Sequence, residues 1–236
     1  MDFAHPLVPG RLIKRYKRFL ADVELSDGRV VTAHCPNPGS MKTCAEPGWD
    51  VLLSPANNPA RKLKWTLEIV RSPSADILVN TARPNAIVRE GIQSNLVPEL
   101  QGYESLKAEV RYGEENSRID LLLSEGDAPR AWVEVKNATL LLEPQTVAFP
   151  DSVTKRGTRH LRELARMVEQ GERGVLFFLV SRSDVARLKP AEEIDPVYAQ
   201  TLREVAEQGV EVLARTAEIT SESVRLGGPV EVVLDA

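Results

Sequence analysis

The stretch that most constrains the fold is Gly174-Val175-Leu176-Phe177-Phe178-Leu179-Val180, an unbroken apolar run in a chain of 236 residues. A strand sends alternate side chains to opposite faces, so a run apolar at both parities needs cover on both sides. The run is far too short for a membrane helix, which takes roughly 20 residues. It predicts a buried central strand, and its surroundings predict the covering layers. Leu161, Leu164, Ala165 and Val168 recur on one face of a helix of about 17 residues, opened by Asp151 and Ser152 and ending near Gly171. Asp195-Pro196 opens a further helix, and residues 210–213 read as a strand. Upstream, Ile87, Val88 and Ile92 mark a helix over 85–95 with Asn85 as its N-cap, followed by strands at 105–112, 118–123 and 131–135. The order α-β-β-β-α-β, then α-β, predicts a three-layer α/β domain with a mixed sheet.

Before Pro84 the pattern is all-β. Residues 12–25 and 29–34 flank Ser26-Asp27-Gly28, a hairpin signal, and short apolar runs follow at 51–53, 64–70 and 77–79. Five such strands predict a small closed barrel of the oligonucleotide-binding (OB) type. Between the second and third lies Cys35-Pro36-Asn37-Pro38-Gly39-Ser40-Met41, whose prolines and glycine prevent regular structure. The expected division is therefore an OB-like domain over 1–82 and an α/β domain over 83–236.

With 42% hydrophobic and 27% charged residues, the composition excludes disordered and fibrous classes. Net charge is −4, but residues 1–80 hold 11 Lys and Arg against 8 Asp and Glu, leaving 19 basic and 26 acidic residues to the remainder. The positive excess sits in the N-terminal third, so the net negative charge does not exclude an anionic partner there. The start, Met1-Asp2-Phe3-Ala4-His5-Pro6, lacks a secretory pattern, and two cysteines are too few for a disulfide framework, so the expected location is the cytoplasm, away from membranes.

The chemistry is carried by Asp120, in Ser117-Arg118-Ile119-Asp120-Leu121-Leu122-Leu123, and by Glu134 and Lys136, in Trp132-Val133-Glu134-Val135-Lys136. Residues two apart on a strand share a face, so Glu134 and Lys136 work together. A polar turn at 124–129 joins the two runs as neighbouring strands, which lets the carboxylates of Asp120 and Glu134 converge. Two converging carboxylates repel unless a cation or proton lies between them. Oxygen donors suit Mg²⁺ or Mn²⁺, with Asp120 and Glu134 as the metal ligands, and Lys136 can orient a water or stabilise charge on a phosphate. Glu109 and Glu90 are both candidates for a third acid. The ordinary alternative is a set of structural ion pairs with Arg118 and Lys136. Against it stands the apolar character of both runs, which would bury these charges at a cost.

Lys14, Arg15, Tyr16, Lys17 and Arg18 combine phosphate-pairing and base-stacking groups, and read as one strand they put Lys14, Tyr16 and Arg18 on one face and Arg15, Lys17 and Phe19 on the other. On the long helix, Lys155, Arg159, Arg162 and Arg166 form an outward basic stripe, while Arg156 and His160 form a separate i,i+4 pair suited to a phosphate. His34, Cys35 and Cys44 fall short of a structural zinc site.

An acid on the second strand and Glu-x-Lys on the third resemble the PD-(D/E)XK nuclease-like fold, with Ile119-Asp120 where that pattern often has Pro-Asp. Pro150-Asp151 is set aside as a decoy, since no acid-x-Lys follows it at hairpin distance. Longer stretches, among them residues 10–22, His34-Cys35-Pro36-Asn37, Gly39-Ser40-Met41, Asn80-Thr81, Ser117-Arg118-Ile119-Asp120, Val133-Glu134-Val135-Lys136, Phe149-Pro150-Asp151 and Arg156-Gly157 with His160-Leu161, resemble the sugar fermentation stimulation protein family. That resemblance implies an OB-type barrel joined to a nuclease-like domain, binding of single- or double-stranded DNA with little sequence preference, and a regulatory role in sugar, particularly maltose, metabolism. It does not by itself imply nuclease activity, and a homodimer stays open.

Overall fold

The structure is a computed structural model describing residues 1–58, 60–112 and 117–235. Strand β1 (Val8–Tyr16) buries Leu12 and then breaks register between Leu12 and Lys14, a bulge that leaves Ile13 exposed. The chain reverses into β2 (Leu20–Leu25) through Lys17 and Arg18, whose φ values of 48° and 62° are left-handed. The stretch 12–25 is thus two strands and a tight turn, not the single strand expected from its pattern. Bulge and turn both interrupt the period-two alternation, so the face assignment of residues 14–19 fails with it.

β3 (Val30–His34), β4 (Asp50–Pro55) and β5 (Trp65–Arg71) complete the barrel. β1 pairs with β2 and β4, β2 with β3, and β4 with β5, while parallel pairing of Ala33 with Trp65 and His34 with Thr66 closes the ring of five. β6 (Asp76–Leu78) pairs with the other half of the same β5 edge, Leu78 opposite Ile69. The fifth run of the sequence therefore lies beside the ring, and the split first run supplies the missing member. Leu12, Val23, Val51, Leu53 and Leu67 fill the barrel, and Cys35 and Cys44 are buried among them as free thiols.

Helix α1 (Pro84–Gln93) begins after Arg83, and Asn85 lies inside its first turn rather than capping it. β7 (Ser105–Tyr112), β8 (Ser117–Ser124) and β9 (Ala131–Ala138) follow as an antiparallel meander. β10 (Leu140–Glu143) and β11 (Gln145–Phe149) then leave the main sheet, and α2 (Lys155–Glu169) starts from Thr154, whose side chain accepts the Gly157 N–H at 3.0 Å. The cap is thus Thr154, not Asp151 or Ser152.

β12 (Arg173–Val180) holds the apolar run, parallel to β9 on one side. After β13 (Val185–Pro190), Asp195 caps α3 (Pro196–Glu207), and β14 (Glu211–Ile219) pairs in parallel with the other side of β12. β15 (Val224–Pro229) ends the main sheet, whose order is β15-β14-β12-β9-β8-β7. The expected central position of the apolar strand is what the structure has. Leu176, Phe178 and Val180 pack under α2 and α3, while Val175, Phe177 and Leu179 pack toward α1. Burial of such side chains contributes about 1.5–3 kcal/mol each relative to exposure.

A second sheet, unread in the sequence, joins β10, β11, β13 and the two-residue β16 (Glu231–Val232). The extreme N-terminus crosses to the α/β part: the Met1 ammonium donates to Glu90 at 2.7 Å and to the Val224 carbonyl at 2.8 Å. Among the described residues no helix is long and apolar enough to cross a membrane.

Candidate active site

Glu134 and Lys136 share parity with Trp132, which packs in the core under α2, so β9 turns both toward that helix. The β8–β9 ladder ends at Leu121 and Val133. One step beyond, Asp120 faces Glu134, and the parted strands leave the Val135 N–H free to donate to Asp120 Oδ2 at 2.7 Å. The Asn85 amide donates to Oδ1, also at 2.7 Å, so the first turn of α1 orients this carboxylate.

Glu134 is 3% exposed, and its Oε1 takes Lys136 Nζ at 2.5 Å and a very short contact from His160 Nδ1. Arg156, one turn earlier on α2, donates through Nε to His160 Nε2 at 3.3 Å, which leaves the Nδ1 proton directed at Glu134. Glu134 Oε2 is buried with no hydrogen-bond partner among the described residues. Burial works to raise the Glu134 carboxyl, but the His160 hydrogen bond together with the Lys136 charge and hydrogen bond outweighs it and holds it below the usual value. For Asp120 burial, reinforced by the Glu134 charge, prevails over the Val135, Lys136 and Asn85 interactions and pushes the carboxyl up to about 6.

These groups line a cleft of about 500 Å³ whose far wall is the barrel loop at Asn37, Pro38 and Gly39. Asp120, Glu134, Lys136, Arg156 and His160 are brought together there. Glu109 is not: it stands across the ladder from Asp120 but has a φ of 56°, is exposed, and lies outside the cleft lining. Glu90 is occupied with Met1 and Arg225. The further acid in the cleft is Asp151, dismissed from sequence as a decoy. Its Oδ2 lies 3.3 Å from both the Met41 N–H and the Ser40 hydroxyl, joining the cleft floor to the barrel loop. The Phe149-Pro150-Asp151 stretch was the available signal, but its role depends on a loop more than a hundred residues away. Among the described residues no three His, Cys, Asp or Glu side chains are grouped as a metal cage.

The basic segment of β1 divides. Lys14 pairs with Asp22 at 3.6 Å over the Tyr16 ring, and the Tyr16 hydroxyl donates to Asp22. Arg15 points inward, donating to the carbonyls of Arg18, Asn37, Gly39 and Ser40, so it builds the loop. Lys17 and Arg18 are exposed on the turn. On α2, Lys155, Arg159, Arg162 and Arg166 line a separate hollow with Glu163.

Residues 82–223 match the family described as Sugar fermentation stimulation protein RE domain, and residues 13–81 match the N-terminal OB domain of the same proteins. A sugar fermentation stimulation protein homolog of Geobacter metallireducens is 55% identical over 234 residues, 99% of this chain and 100% of that one. The homolog of Maricaulis maris is 51% identical over 99% of both chains. Among solved structures, that of Pyrococcus furiosus SfsA in complex with Ca²⁺ is similar with a TM-score of 0.87 and 29% identity, covering 99% of this chain and 98% of that one. An OB barrel joined to a mixed-sheet α/β domain, matched along essentially its whole length, belongs to the sugar fermentation stimulation protein family.

Proposed function

We propose that this protein binds DNA with little sequence preference and hydrolyses its phosphodiester bonds in the cleft between the barrel and the α/β domain. The observation that carries the reading is the convergence of Asp120, Glu134 and Lys136 with Arg156 and His160 in one concave site beside the barrel loop. The residues fit a hard divalent cation: a buried carboxylate oxygen without a partner among the described residues, Glu134 Oε2, stands near a second carboxylate whose ionisation is disfavoured without a counter-charge. Asp120 and Glu134 would hold Mg²⁺ or Mn²⁺, which when bound supplies a Lewis acid for the phosphate and lowers the pKa of water. The chain's own groups do the rest. Lys136 places positive charge where negative charge develops on the phosphate, and Arg156, exposed at the rim, pairs with its oxygens. His160 holds Glu134 in place and provides a proton-transfer group within reach of Oε1.

A second reading, DNA occupancy without turnover, is favoured by the engagement of Glu134 Oε1 with both Lys136 and His160, an arrangement already charge-balanced. In that case the regulatory role in sugar metabolism implied by the family resemblance would rest on binding alone.

The test follows binding and cleavage of labelled single-stranded and duplex DNA in Mg²⁺, Mn²⁺ or EDTA, beside Glu134→Gln and Lys136→Ala. Metal-dependent cleavage that falls at least 100-fold in both variants supports hydrolysis at this cleft. Cleavage that persists removes the cleft from the mechanism, and binding without any cleavage supports the second reading.

A further inference from the structure

We propose that the hollow at the barrel mouth bounded by His34, Ser54, Arg61, Asn80 and Arg83 is a nucleotide subsite that takes an unpaired base and its phosphate, making single-stranded DNA the substrate delivered to the cleft. The inference deepens the proposed function by naming the form of DNA.

The hollow has a volume of about 480 Å³, within the range of ligand-binding cavities. It adjoins the cleft through a common wall: Pro36 and Ala82 line the hollow while their neighbours Asn37 and Thr81 line the cleft. The wall is pinned, since the Thr81 N–H and hydroxyl both donate to the Pro36 carbonyl, at 3.2 and 2.6 Å. A strand lying across it would present consecutive nucleotides to the two cavities.

The interior is built rather than incidental. Glu68, 1% exposed, accepts from Ser54 Oγ at 2.7 Å, Asn80 Nδ2 at 2.8 Å, and Arg83 Nε and Nη2 at 3.1 and 2.7 Å. Its charge is thereby answered by Arg83, and Arg61 remains at the rim as a further cation, with Nη1 held 3.2 Å from Thr66 Oγ1. A polar floor of fixed orientation and an arginine at the rim suit a base edge and a phosphate.

Next to the hollow, at its lining residue His34, stands an aromatic pair. His34 stacks on Phe19, ring centroids 6.4 Å apart and planes 28° apart, and Phe19 is 45% exposed on the turn that also exposes Lys17 and Arg18. Phe19 comes from the β1–β2 turn and Arg61 from the β4–β5 loop, the two connections that flank the nucleic-acid face of five-stranded barrels. Aromatic faces reach base faces only where the bases are unstacked, which a duplex interior does not allow.

The test measures anisotropy of a fluorescein-labelled oligothymidylate and of a labelled hairpin duplex with the full chain in EDTA, for the wild type, Phe19→Ala, Phe19→Trp and Arg61→Ala, each checked for an unchanged melting transition. Loss of a base stack and of a phosphate contact should weaken single-strand binding about tenfold in Phe19→Ala and in Arg61→Ala. Phe19→Trp should retain affinity, and duplex binding should change less than twofold. Equal losses for both DNA forms, or no loss for the single strand, would overturn the subsite. Because EDTA removes turnover, the result is independent of cleavage: a Glu134→Gln protein that still cut DNA would sink the catalytic reading and leave the subsite standing.

Discussion

Arg15 and Asp151 hold the same barrel loop from opposite sides. The guanidinium donates to the carbonyls of Asn37, Gly39 and Ser40, while the carboxylate accepts from the Ser40 hydroxyl and the Met41 N–H. A loop without regular structure thus becomes a fixed wall of the cleft, with its backbone groups satisfied by side chains from two domains.

A Cβ on Gly39 would run into the Asp151 carboxylate, so either that carboxylate or the loop has to give way. Gly39→Ala should therefore disturb the loop's contact with the α/β domain and lower stability by about 1–3 kcal/mol, as should Arg15→Ala by leaving four carbonyls without their donor. Urea unfolding midpoints check both.

His160→Ala removes one of the two cations or donors that face buried Glu134. The expected outcome is a loss of about 2–4 kcal/mol in stability, since a buried carboxylate then keeps Lys136 alone. The same variant should lower the cleavage rate more than DNA affinity, measured by single-turnover kinetics beside anisotropy.

Asp120 binds its proton more tightly in the folded chain, with a pKa of about 6, than an ordinary aspartate does at 3.8. Its contribution to stability is complete below pH 3.8 and disappears as pH rises through 6. Asp120→Asn should consequently match the wild type near pH 4 and exceed it by about 1–3 kcal/mol at pH 8 in EDTA. Denaturation curves at the two pH values decide this, and Mg²⁺ should reverse the order by favouring the ionised wild type.

Glu68→Ala leaves Arg83, Asn80 and Ser54 without their common acceptor. A stability loss of about 3–5 kcal/mol is expected, read by thermal or urea unfolding, whereas Glu68→Gln should cost less because it keeps one acceptor.

The apolar run in β12 was legible because parity is a local property: six neighbouring side chains, Val175 to Val180, declare whether one or both faces are covered. The same holds for Glu134 and Lys136, whose shared face follows from spacing alone, and for Asp195 as the cap of α3. Less was legible in residues 12–25, where a bulge and two left-handed residues break the alternation without a glycine or proline to mark them. The sheet of β10, β11, β13 and β16 escaped as well, since beyond the β10–β11 hairpin its pairings join short segments far apart in the chain.

Sequence by itself determined the two-part architecture, the central strand and the carboxylate–lysine trio, all of which rest on period and spacing within a few residues. Only the tertiary structure decided that Arg15 serves the loop rather than a ligand, that Asp151 belongs to the cleft, and that Glu109 and Glu90 do not. Those outcomes depend on which distant backbone groups need a donor or acceptor once the two domains meet, and that demand exists only after the chain has folded.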